Sequence, residues 1–589
     1  MASKRVIGID LGSSRCALAR IDESGRSVMI RNSLGDLLIP SVVYFEDDEL
    51  IFGRSAKQAA GVQPGRAAEM VKRDRGQAAY SRAIGGQLMP AEFIEGCLLA
   101  GLAAELTSAG EPGPSVVLSH PVAFDQAQRM ALLDAAAMAG LDVIGTVNDP
   151  LAIALSFAET QGYLGSDGGE KPRLRALVFD LGSSKLDVAI IEIKSTGLRT
   201  RGLGGDPHLG GRDWDLRLAD YLAEEFAKKF GQDPRFDMAS VRRLLETAEE
   251  AKQTLTARQQ ARIRVERSLN SADITITRQV FERLTADLLE RSRQVTERVL
   301  SQASLAWRDL THLLLVGGAS RMPMIGQMLE KLSYMQGAPT IHPDEAVARG
   351  AALYGGQLLA RQRGGRTALE IVDSSARSLG LEWHDPESQK TENVVLIPRG
   401  TEMPSATTSK LHTQVDDQQS LTVQLLEGES RTADECIRIA ELTVDGLPPG
   451  LPRYTPIEVS YQLTPEGRLV VAAHLQPTGD PVRAELRRSR GLSPQQLSAW
   501  QQVIASRGGL KAIAVQLDSQ PRESPPEATG PEPAVRPPQL PSRQKPAEPS
   551  HDEAEFPEMT VRLRRNRNSQ RKLWINVVGY AVFSALGLL

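Results

Sequence analysis

Two stretches decide the fold: VIGIDLGSSRCALARI at residues 6–21 and ALVFDLGSSKLDVAII at residues 176–191. Each begins with an apolar run, continues with Asp-Leu-Gly-Ser-Ser and a cation, and ends in a second apolar run. Short β-branched runs bounded by turn residues are typical of β-strands. A motif that occurs twice at this distance predicts two similar lobes.

The turns between these strands carry groups that suit a phosphate. Glycine permits a tight hairpin whose backbone N–H groups face an anion, serine adds hydroxyl donors, and Asp10 and Asp180 offer carboxylates to hydrated Mg²⁺. We therefore predict that a nucleotide is clamped between the two turns; the alternative is a pair of ordinary β-hairpins. The turn residues assigned to the nucleotide are Gly12, Ser13, Ser14 and Arg15 in the first lobe and Gly182, Ser183, Ser184 and Lys185 in the second.

The pattern of predicted secondary structure changes near residue 364. From Val6 to about Leu359, strand-like runs alternate with helical patterns, which is typical of an α/β domain. After Gly364, short segments between turn residues predict a small antiparallel β domain. Residues 494–506 predict one short amphipathic helix, and LKAIAVQL at residues 510–517 predicts a last strand.

Composition limits the function classes. A chain of 589 residues is too long for one core and predicts several domains. The formal net charge of -4 gives no electrostatic footprint for DNA or RNA, so nucleic acid is not an expected partner. Three cysteines without paired spacing predict neither a zinc site nor a disulfide framework. The first apolar run is broken at Asp10 and Gly12, so we expect no secretory signal and a cytoplasmic body.

The C-terminal part predicts a tether and a membrane anchor. Residues 521–557 are rich in proline and poor in large apolar side chains, which is typical of a disordered segment. A basic run at residues 562–572 then precedes the apolar segment LWINVVGYAVFSALGLL at residues 573–589. This order predicts a single-pass anchor that holds the large domains on the cytoplasmic face of a membrane; the alternative is a buried C-terminal core helix.

Six further motifs give the chain its resemblance to a known family. They follow the order found in the seventy-kilodalton heat-shock (DnaK-type) chaperones, and the resemblance covers roughly residues 1–500. It implies an actin-like nucleotide-binding fold of two lobes, a β-sandwich that binds peptide, and ATP or ADP with Mg²⁺ as the cofactor. The motifs are MVKRDRG (70–76), HPVAFDQAQRMALLDAAAMAGLDVIGTVNDPLAIAL (120–155), GGDPHLGGRDWD (204–215), AEEAKQTLT (248–256), LLLVGGASRMPMI (313–325) and HPDEAVARGAALYGG (342–356).

The resemblance also implies individual roles. Lys72 corresponds to the lysine that positions the attacking water, and Asp149 stands where the family has a glutamate. Pro121 and Arg129 correspond to residues that couple the two domains, and Arg321 to the side chain stacked on adenine. The implied catalytic residues are Lys72, Asp10, Asp149 and Asp180, of which Asp10 and Asp180 bind the metal through water. The other implied nucleotide contacts are Gly210, Gly211, Glu249, Lys252, Thr256, Gly317, Gly318 and Asp344; for Glu249 and Lys252 the alternative is a surface salt bridge.

The second turn departs from the family, which has Asp-Leu-Gly-Gly-Gly-Thr there. Ser183 and Ser184 replace glycines that allow close approach to phosphate, and Lys185 replaces a threonine beside the reacting group. We therefore expect a slow ATPase that retains nucleotide binding. We expect the ammonium group of Lys185 within reach of the β- and γ-phosphates, where it either adds affinity without rate or competes with Mg²⁺.

The peptide-binding side departs from the family as well. The linker segment ALEIVDSSARSLGLE at residues 368–382 keeps only part of the family's apolar linker, so we expect weaker allosteric coupling. Leu421 and Val423 are candidate peptide contacts, although their alternation fits plain core residues equally well. The family's helical lid is missing after the β domain, so a bound peptide is expected to leave quickly.

Together these features predict an ATP-dependent DnaK-like chaperone for extended or unfolded polypeptides. They leave open whether a J-domain co-chaperone and a nucleotide exchange factor take part. The alternatives are a nucleotide sensor, an actin-like structural protein at a membrane, and a sugar kinase with the same clamp. The predicted domains are an actin-like nucleotide-binding domain at 1–362, a linker at 363–378, a β-sandwich with a helical remnant at 379–518, a tether at 519–572 and an anchor at 573–589.

Overall fold

The structure, a computed structural model, describes residues 5–111, 113–164, 171–338, 341–364, 369–384, 391–465, 467–476 and 478–519. These residues belong to one compact unit. In these ranges the α-helices are α1 (Gly53–Val62), α2 (Ala91–Ser108), α3 (Gln126–Met138), α4 (Asp149–Thr160), α5 (Gly211–Phe230), α6 (Met238–Ala257), α7 (Arg278–Leu284), α8 (Ala286–Gln302), α9 (Pro323–Ser333), α10 (Ala346–Gln362), α11 (Pro494–Ala505) and α12 (Leu510–Ser519).

The strands divide between an N-terminal α/β part and a C-terminal β part. Those of the first part, with the linker strand, are β1 (Val6–Leu11), β2 (Arg15–Ile21), β3 (Ser27–Ile30), β4 (Leu38–Pro40), β5 (Val42–Phe45), β6 (Leu50–Phe52), β7 (Ala67–Glu69), β8 (Ser115–His120), β9 (Asp142–Asn148), β10 (Leu174–Leu181), β11 (Leu186–Lys194), β12 (Gly197–Asp206), β13 (Gln260–Arg267), β14 (Asn270–Thr277), β15 (His312–Val316) and β16 (Glu370–Ser374). Those of the second part are β17 (Leu379–His384), β18 (Thr391–Ile397), β19 (Glu402–Met403), β20 (Ser405–His412), β21 (Ser420–Glu427), β22 (Ile437–Asp445), β23 (Pro456–Leu463), β24 (Leu469–Leu475) and β25 (Pro481–Arg488).

Two six-stranded sheets carry the repeated motif. The first has the order β3-β2-β1-β8-β9, with β4 beside β2, and the second has the order β15-β10-β11-β12-β16-β19. In each sheet the hairpin that holds the repeat is antiparallel, and its first strand pairs in parallel with a later strand: β1 with β8, and β10 with β15. The two similar lobes predicted from the repeat are therefore confirmed.

Helices α4 and α10 join the cores of the two lobes. Their buried apolar residues share one cluster with Val6 of the first sheet and Val178 of the second. The helices approach closely at Gly350, where a Cβ atom would lie 1.7 Å from the carbonyl oxygen of Ala152. A side chain at this position would force the helices apart, so the close approach requires glycine. This shared core fixes the positions of the lobes and of the turns between their strands.

The β part forms one antiparallel sheet of eight strands over a common core. Its order is β18-β17-β21-β22-β25-β24-β23-β20. Leu381 and Leu425 from one half share a buried cluster with Ile457 and Tyr461 from the other half. Buried and less buried side chains alternate along β23, as expected for a strand with one face against a core. The prediction of a small antiparallel β domain is confirmed, and its shape is sandwich-like.

The predicted linker adds a strand to the second lobe. Leu369 is buried in the cluster between the lobes, and β16 pairs in parallel with β12. On its other side, β16 pairs with the short strand β19. The carboxylate of Asp373, near the end of β16, accepts hydrogen bonds from Asn148 at 2.5 Å and from Thr200 at 2.9 Å. The linker therefore connects the nucleotide-binding lobes and the β domain through both backbone and side-chain hydrogen bonds.

The segment that follows the β domain packs on the first lobe. Helix α11 confirms the helix predicted at residues 494–506, whereas the strand predicted at residues 510–517 is wrong, because these residues form α12. Trp500 of α11 is fully buried against Phe93 of α2, with ring centroids 4.3 Å apart. Ile513 of α12 is buried in the same cluster. Packing of one helix face against the lobe has overridden the strand-like alternation of this segment.

The predicted tether, from residue 520 onwards, and the predicted anchor at residues 573–589 lie outside the described residues. Among the residues that the structure does describe, no helix has both the length and the apolar character needed to cross a membrane. The anchor therefore stays a prediction.

Candidate functional site

A cleft of about 440 Å³ opens between the two lobes, where the repeated turns face each other. The turns touch through a hydrogen bond between the hydroxyl groups of Ser13 and Ser184. In the second turn the N–H of Gly182 donates to the carbonyl of Lys185 at 3.0 Å, which closes a tight hairpin. All the residues assigned to catalysis or to the nucleotide line this cleft, except Gly210. The structure therefore brings the predicted set together.

Gly210 lies behind the second turn. Its N–H donates to Asp213 at 2.8 Å, and the N–H of Gly211 donates to the carbonyl of Gly182 at 2.9 Å. The glycine-rich loop therefore supports the turn from outside the cleft. Gly211 itself lines the cleft and begins α5, a helix of 20 residues. The positive end of the helix dipole lies there, which favours an anion.

The backbone explains how three predicted carboxylates reach the cleft. Asp10 and Asp180 lie near the C-terminal ends of β1 and β10, the edge at which α/β sheets bind ligands. Asp149 is the first residue of α4, and Asn148 caps this helix by accepting a hydrogen bond from the N–H of Leu151 at 2.8 Å. A carboxylate at a helix N-terminus is stabilised by the helix dipole.

The ammonium group of Lys185 lies among three buried carboxylates. Its Nζ donates to Asp149 and to Asp180, each at 2.6 Å, and also to Asp187. The carboxylate oxygens lie within 4.8 Å of one another, which is close enough to hold one metal ion. A lysine ammonium group has three N–H donors, and all three are used here.

These contacts shift the pKa values of the cluster. Burial acts against ionisation of Asp149, but the ammonium groups of Lys185 and Lys72 hold its pKa well below the usual range. Burial lowers the pKa of Lys185, but the three carboxylates outweigh this and raise it well above its usual value. Burial raises the pKa of Asp187 to about 6 despite Lys185, and burial together with the charge of Asp149 raises the pKa of Asp10 to about 7. Asp149 and Lys185 are therefore charged at neutral pH.

Lys72 approaches the same cluster from the first lobe. It lies on a short 3₁₀ turn after β7 and is buried. Its Nζ is 3.9 Å from the Oδ2 atom of Asp149, the oxygen that also accepts a hydrogen bond from Lys185. A cation at this wall of the cleft is in a position to stabilise charge on a phosphate. Its assigned part in hydrolysis stays a prediction.

A third buried lysine supports the wall assigned to adenosine. Lys252 of α6 pairs with Asp215 of α5 at 2.7 Å and donates to the carbonyl of Gly211 at 3.0 Å. One turn earlier, Glu249 lines the cleft in a half-buried position. The hydroxyl of Thr256 donates to the carbonyl of Lys252 at 3.0 Å within the helix. The assigned contacts of these residues with the ribose or base stay predictions.

The opposite wall requires glycine at one position. Gly317 has a φ of 81°, and a Cβ atom there would lie 2.3 Å from the carbonyl oxygen of Leu181. Gly318 has open space beside it, where the nearest atom to an added Cβ belongs to Arg321 at 3.9 Å. Arg321, which is assigned to adenine, forms an ion pair at 2.6 Å with Asp344, which is assigned to the nucleotide, and both residues line the cleft.

The residues assigned to domain coupling lie where the lobes meet the β domain. Arg129 of α3 is 3.5 Å from the carboxylate of Glu427 on β21, and the N–H of Gln126 donates to Glu427 at 2.8 Å. Pro121 is buried in the segment that leads from β8 to α3. Burial raises the pKa of Glu427, and the charge of Arg129 opposes this shift. The location agrees with the assignment, and the coupling itself stays a prediction.

The two candidate peptide contacts lie on β21. Leu421 is buried in the core of the β domain, and Val423 packs against the same cluster from a partly buried position. Both positions agree with the alternative that these side chains belong to the core. Their contact with peptide stays a prediction.

The sequence reasoning missed three acids that organise the site. Asp187 stands directly opposite Asp180 in the register of β10 and β11. The alternation of side chains in a hairpin would have indicated this pair. Asp213 pairs with Arg73 of the first lobe at 2.8 Å, and Asp215 pairs with Lys252. The bond between Asp213 and Arg73 joins residues far apart in the chain, so spacing alone gave no signal for it.

Comparisons with known proteins extend over both parts of the structure. The family model described as Hsp70 protein matches residues 6–509. Chaperone protein DnaK of Halobacterium salinarum is 32% identical over 510 residues, which covers 85% of this chain and 78% of that protein. Chaperone protein DnaK of Metamycoplasma hominis is 32% identical over 506 residues, which covers 84% of this chain and 82% of that protein.

Proposed function

This chain belongs to the Hsp70 family, and on that premise we propose that it is a DnaK-like chaperone that binds ATP or ADP and extended segments of unfolded proteins. Hsp70 family members bind ATP or ADP with Mg²⁺. The observation that carries the proposal is the cleft between the lobes, in which the assigned catalytic and nucleotide residues meet. Its volume of about 440 Å³ is ordinary for a small-molecule site.

The groups that line the cleft fit a nucleotide. The start of α5 at Gly211 offers a helix N-terminus to phosphate, and Lys72 offers a positive charge from the other lobe. Arg321 lines the cleft and offers a planar group on which an aromatic base can stack. For the metal, Asp10 lines the cleft, whereas Asp180 is already paired with Lys185. The assigned contacts of Asp10 and Asp180 with Mg²⁺ through water stay predictions.

Thermal unfolding of the full-length chain tests nucleotide binding. Saturating ATP or ADP is expected to raise the melting temperature by mass action. Gly318→Trp should abolish the rise, because the indole would fill the open space beside Arg321. Gly61→Trp on α1 is the matched control, because among the described residues nothing outside its own helix backbone and chain neighbours lies within 4 Å of a Cβ added there. An unchanged melting temperature of the unsubstituted chain with saturating nucleotide would refute the proposal.

We further propose that peptide binding is weak and that release is fast. Among the described residues after the β domain, the helices are α11 and α12, and their buried residues pack on the first lobe. A site without a cover loses its ligand quickly, and affinity is set mostly by the dissociation rate.

A labelled extended apolar peptide, displaced in stopped flow, measures the release rate. Val423→Asp is expected to weaken binding and is a better probe than Leu421→Asp, because Leu421 is buried in the core. Val415→Asp is the control, since Val415 is 58% exposed. Slow release from the unsubstituted chain, or equal effects of Val423→Asp and Val415→Asp, would count against this peptide site.

We propose that ATP hydrolysis is slow. The support is the second turn, where serines replace glycines and Lys185 lies among the carboxylates. The triple variant Ser183→Gly, Ser184→Gly, Lys185→Thr is expected to raise steady-state hydrolysis about tenfold, a barrier change of ~1.4 kcal/mol. Adding Lys72→Ala should remove the gain. If the unsubstituted chain already hydrolyses ATP as fast as the triple variant, the proposal is wrong.

We also propose that residues 573–589 anchor the chain, with its large domains on the cytoplasmic face of a membrane. The support is the order of the tether, the basic run and the apolar segment. Full-length protein is expected to resist carbonate extraction from membranes, and the variant that lacks residues 573–589 is expected to be released. Full-length protein that carbonate releases would refute the anchor.

A further inference from the structure

We propose that the ammonium group of Lys185 is a permanent internal cation that takes the place of a metal ion among Asp149, Asp180 and Asp187. Nucleotide binding in this chain then requires no metal at this position. The statement about nucleotide binding deepens the proposed function and rests on it. The first statement concerns the chain without nucleotide and stands by itself.

The hairpin of the second lobe brings the cation and two of the acids together. Asp180 and Asp187 are paired across β10 and β11, so their carboxylates lie on the same face of the sheet. Two like charges placed this way repel each other unless a cation lies between them. Lys185 directly precedes β11, two residues before Asp187, and its ammonium group reaches both carboxylates of this pair. Asp149, at the start of α4, supplies the third carboxylate.

Burial makes a compensating charge necessary. Asp149, Asp180 and Asp187 are at most 4% exposed, and Lys185 is 8% exposed. Buried carboxylates are retained as ions only when they are paired with cations or metal ions. Lys185 meets this need with one N–H donor for each carboxylate, at 2.6 Å for Asp149 and for Asp180. The three acids therefore have their cation before any ligand arrives.

The same geometry excludes a divalent ion. Mg²⁺ needs near-octahedral oxygen ligands at about 2.0–2.1 Å. The Nζ of Lys185 lies 2.6 Å from the carboxylate oxygens of Asp149 and Asp180, which is the space that the ion would fill. The residues present therefore do not fit a metal ion among these three acids.

The first lobe provides an internal comparison. Its hairpin has the same Asp-Leu-Gly-Ser-Ser sequence, but Asp10 is paired across the strands with Ala17. The cation of the first turn, Arg15, is exposed and lines the cleft. The lysine that is turned into the protein, Lys185, occurs in the second lobe, where Asp180 is paired across the strands with another acid, Asp187. This correspondence supports a role for Lys185 in charge compensation within the second lobe.

The contacts of Lys185 also limit which groups can bind the phosphates. With its three N–H donors used by carboxylates, Lys185 has none to offer to an anion. Phosphate must then be held by other groups of the cleft, such as Lys72 and the start of α5 at Gly211. Because Lys185 already supplies a cation to Asp180, one of the two acids assigned to Mg²⁺, we expect ADP affinity to depend little on Mg²⁺.

Titration of the nucleotide-free, full-length chain with Mn²⁺ tests the internal cation. Unsubstituted protein is expected to show no change in melting temperature at millimolar Mn²⁺ and no bound Mn²⁺ by electron paramagnetic resonance. Lys185→Thr removes the cation that contacts all three carboxylates and leaves Asp180 and Asp187 without it, so it should melt at a lower temperature in EDTA. Mn²⁺ should then raise its melting temperature by at least about 3 °C and appear as bound ion.

Lys252→Thr is the matched control, because it removes another buried lysine of the cleft and, among the described acids, leaves a single ion-pair partner, Asp215. It should gain no Mn²⁺ site. If Lys185→Thr is unfolded in EDTA, its folding on addition of Mn²⁺ supports the inference. No Mn²⁺-dependent gain in Lys185→Thr, or a Mn²⁺ site in the unsubstituted chain that Asp187→Asn removes, would overturn it.

A second measurement needs no variant. The dissociation constant of ADP from the unsubstituted chain, measured by calorimetry in EDTA and in Mg²⁺, should agree within about fivefold. A larger loss of affinity in EDTA would overturn the metal-independent binding. A chain that binds no ADP under either condition would refute the proposed function instead, and the Mn²⁺ titration would still decide the role of Lys185.

Discussion

Replacing Trp500 with alanine is expected to release α11 and α12 from the first lobe. The ring of Trp500 is fully buried, its centroid lies 4.3 Å from that of Phe93, and Ile513 is buried in the same cluster. Truncation of a buried tryptophan to alanine costs about 3–5 kcal/mol, which includes the loss of the aromatic pair. The two helices are the last described elements of the chain, so the loss should appear there as local opening.

Hydrogen exchange of the full-length chain, followed by mass spectrometry, measures this opening. A loss of about 3 kcal/mol raises the population of the open state about 100-fold, so peptides from residues 494–519 should exchange about 100 times faster. Trp500→Phe should have a much smaller effect, because it keeps a ring and removes an indole N–H that has no hydrogen-bond partner among the described residues. Trp383→Ala is the control, since Trp383 is 50% exposed.

Two results would refute this reasoning. Unchanged exchange of residues 494–519 in Trp500→Ala would mean that the indole does not hold the helices on the lobe. Exchange that rises equally in the strands of both lobes would mean that the helices do not open separately from the rest of the chain.

Three further predictions concern buried acids. Burial raises the pKa of Glu92 from 4.5 to about 7, so its contribution to stability is fully present below pH 4.5 and is lost as the pH rises through about 7. In chemical unfolding, the stability of Glu92→Gln relative to the unsubstituted chain should therefore rise by up to about 3 kcal/mol over this pH range. A stability difference that is equal at both ends of the range would contradict this. Glu95→Gln should lower stability by about 3–5 kcal/mol in thermal unfolding, because it breaks the buried ion pair in which Arg75 donates two hydrogen bonds to Glu95. The double variant Arg75→Met, Glu95→Leu should recover most of the lost stability. Unchanged stability of Glu95→Gln would refute the importance of this pair. Glu427→Gln should leave ADP affinity unchanged but reduce the effect of ATP on peptide release, because it weakens the contact with Arg129; an ATP effect equal to that of the unsubstituted chain would disprove this.

The lobes and the cleft were predictable because their signals are local. Each repeat contains a strand, a glycine turn and a second strand within sixteen residues, and the acid at each strand end follows from that order. The segment at residues 510–517 shows the limit of local signals. Its alternation fits a strand, and only the cluster that buries Ile513 and Trp500 shows that one face of a helix is covered. Contacts of this kind join residues about 400 positions apart, and local patterns carry no information about them.

The environment of Lys185 was predictable only in part. The sequence places Asp187 two residues after Lys185, which indicates a pair on one face of the hairpin. Asp149 is 36 residues away and reaches the ammonium group only because α4 begins beside the second turn. The sequence predicts a contact of Lys185 with the β- and γ-phosphates, whereas the inference drawn above is that its three donors stay with the carboxylates.

The strand formed by the linker also bears on solubility. Residues 370–372 cover the outer edge of β12 with parallel hydrogen-bonded pairing. If the β domain moved away and took β16 with it, the backbone groups along this part of β12 would lose their partners. An uncovered strand edge is a template on which other extended chains add, and this is a common start of aggregation. Any state of this protein in which the domains separate would thus expose a site for self-association, and the cell would have to keep that state short-lived or rare.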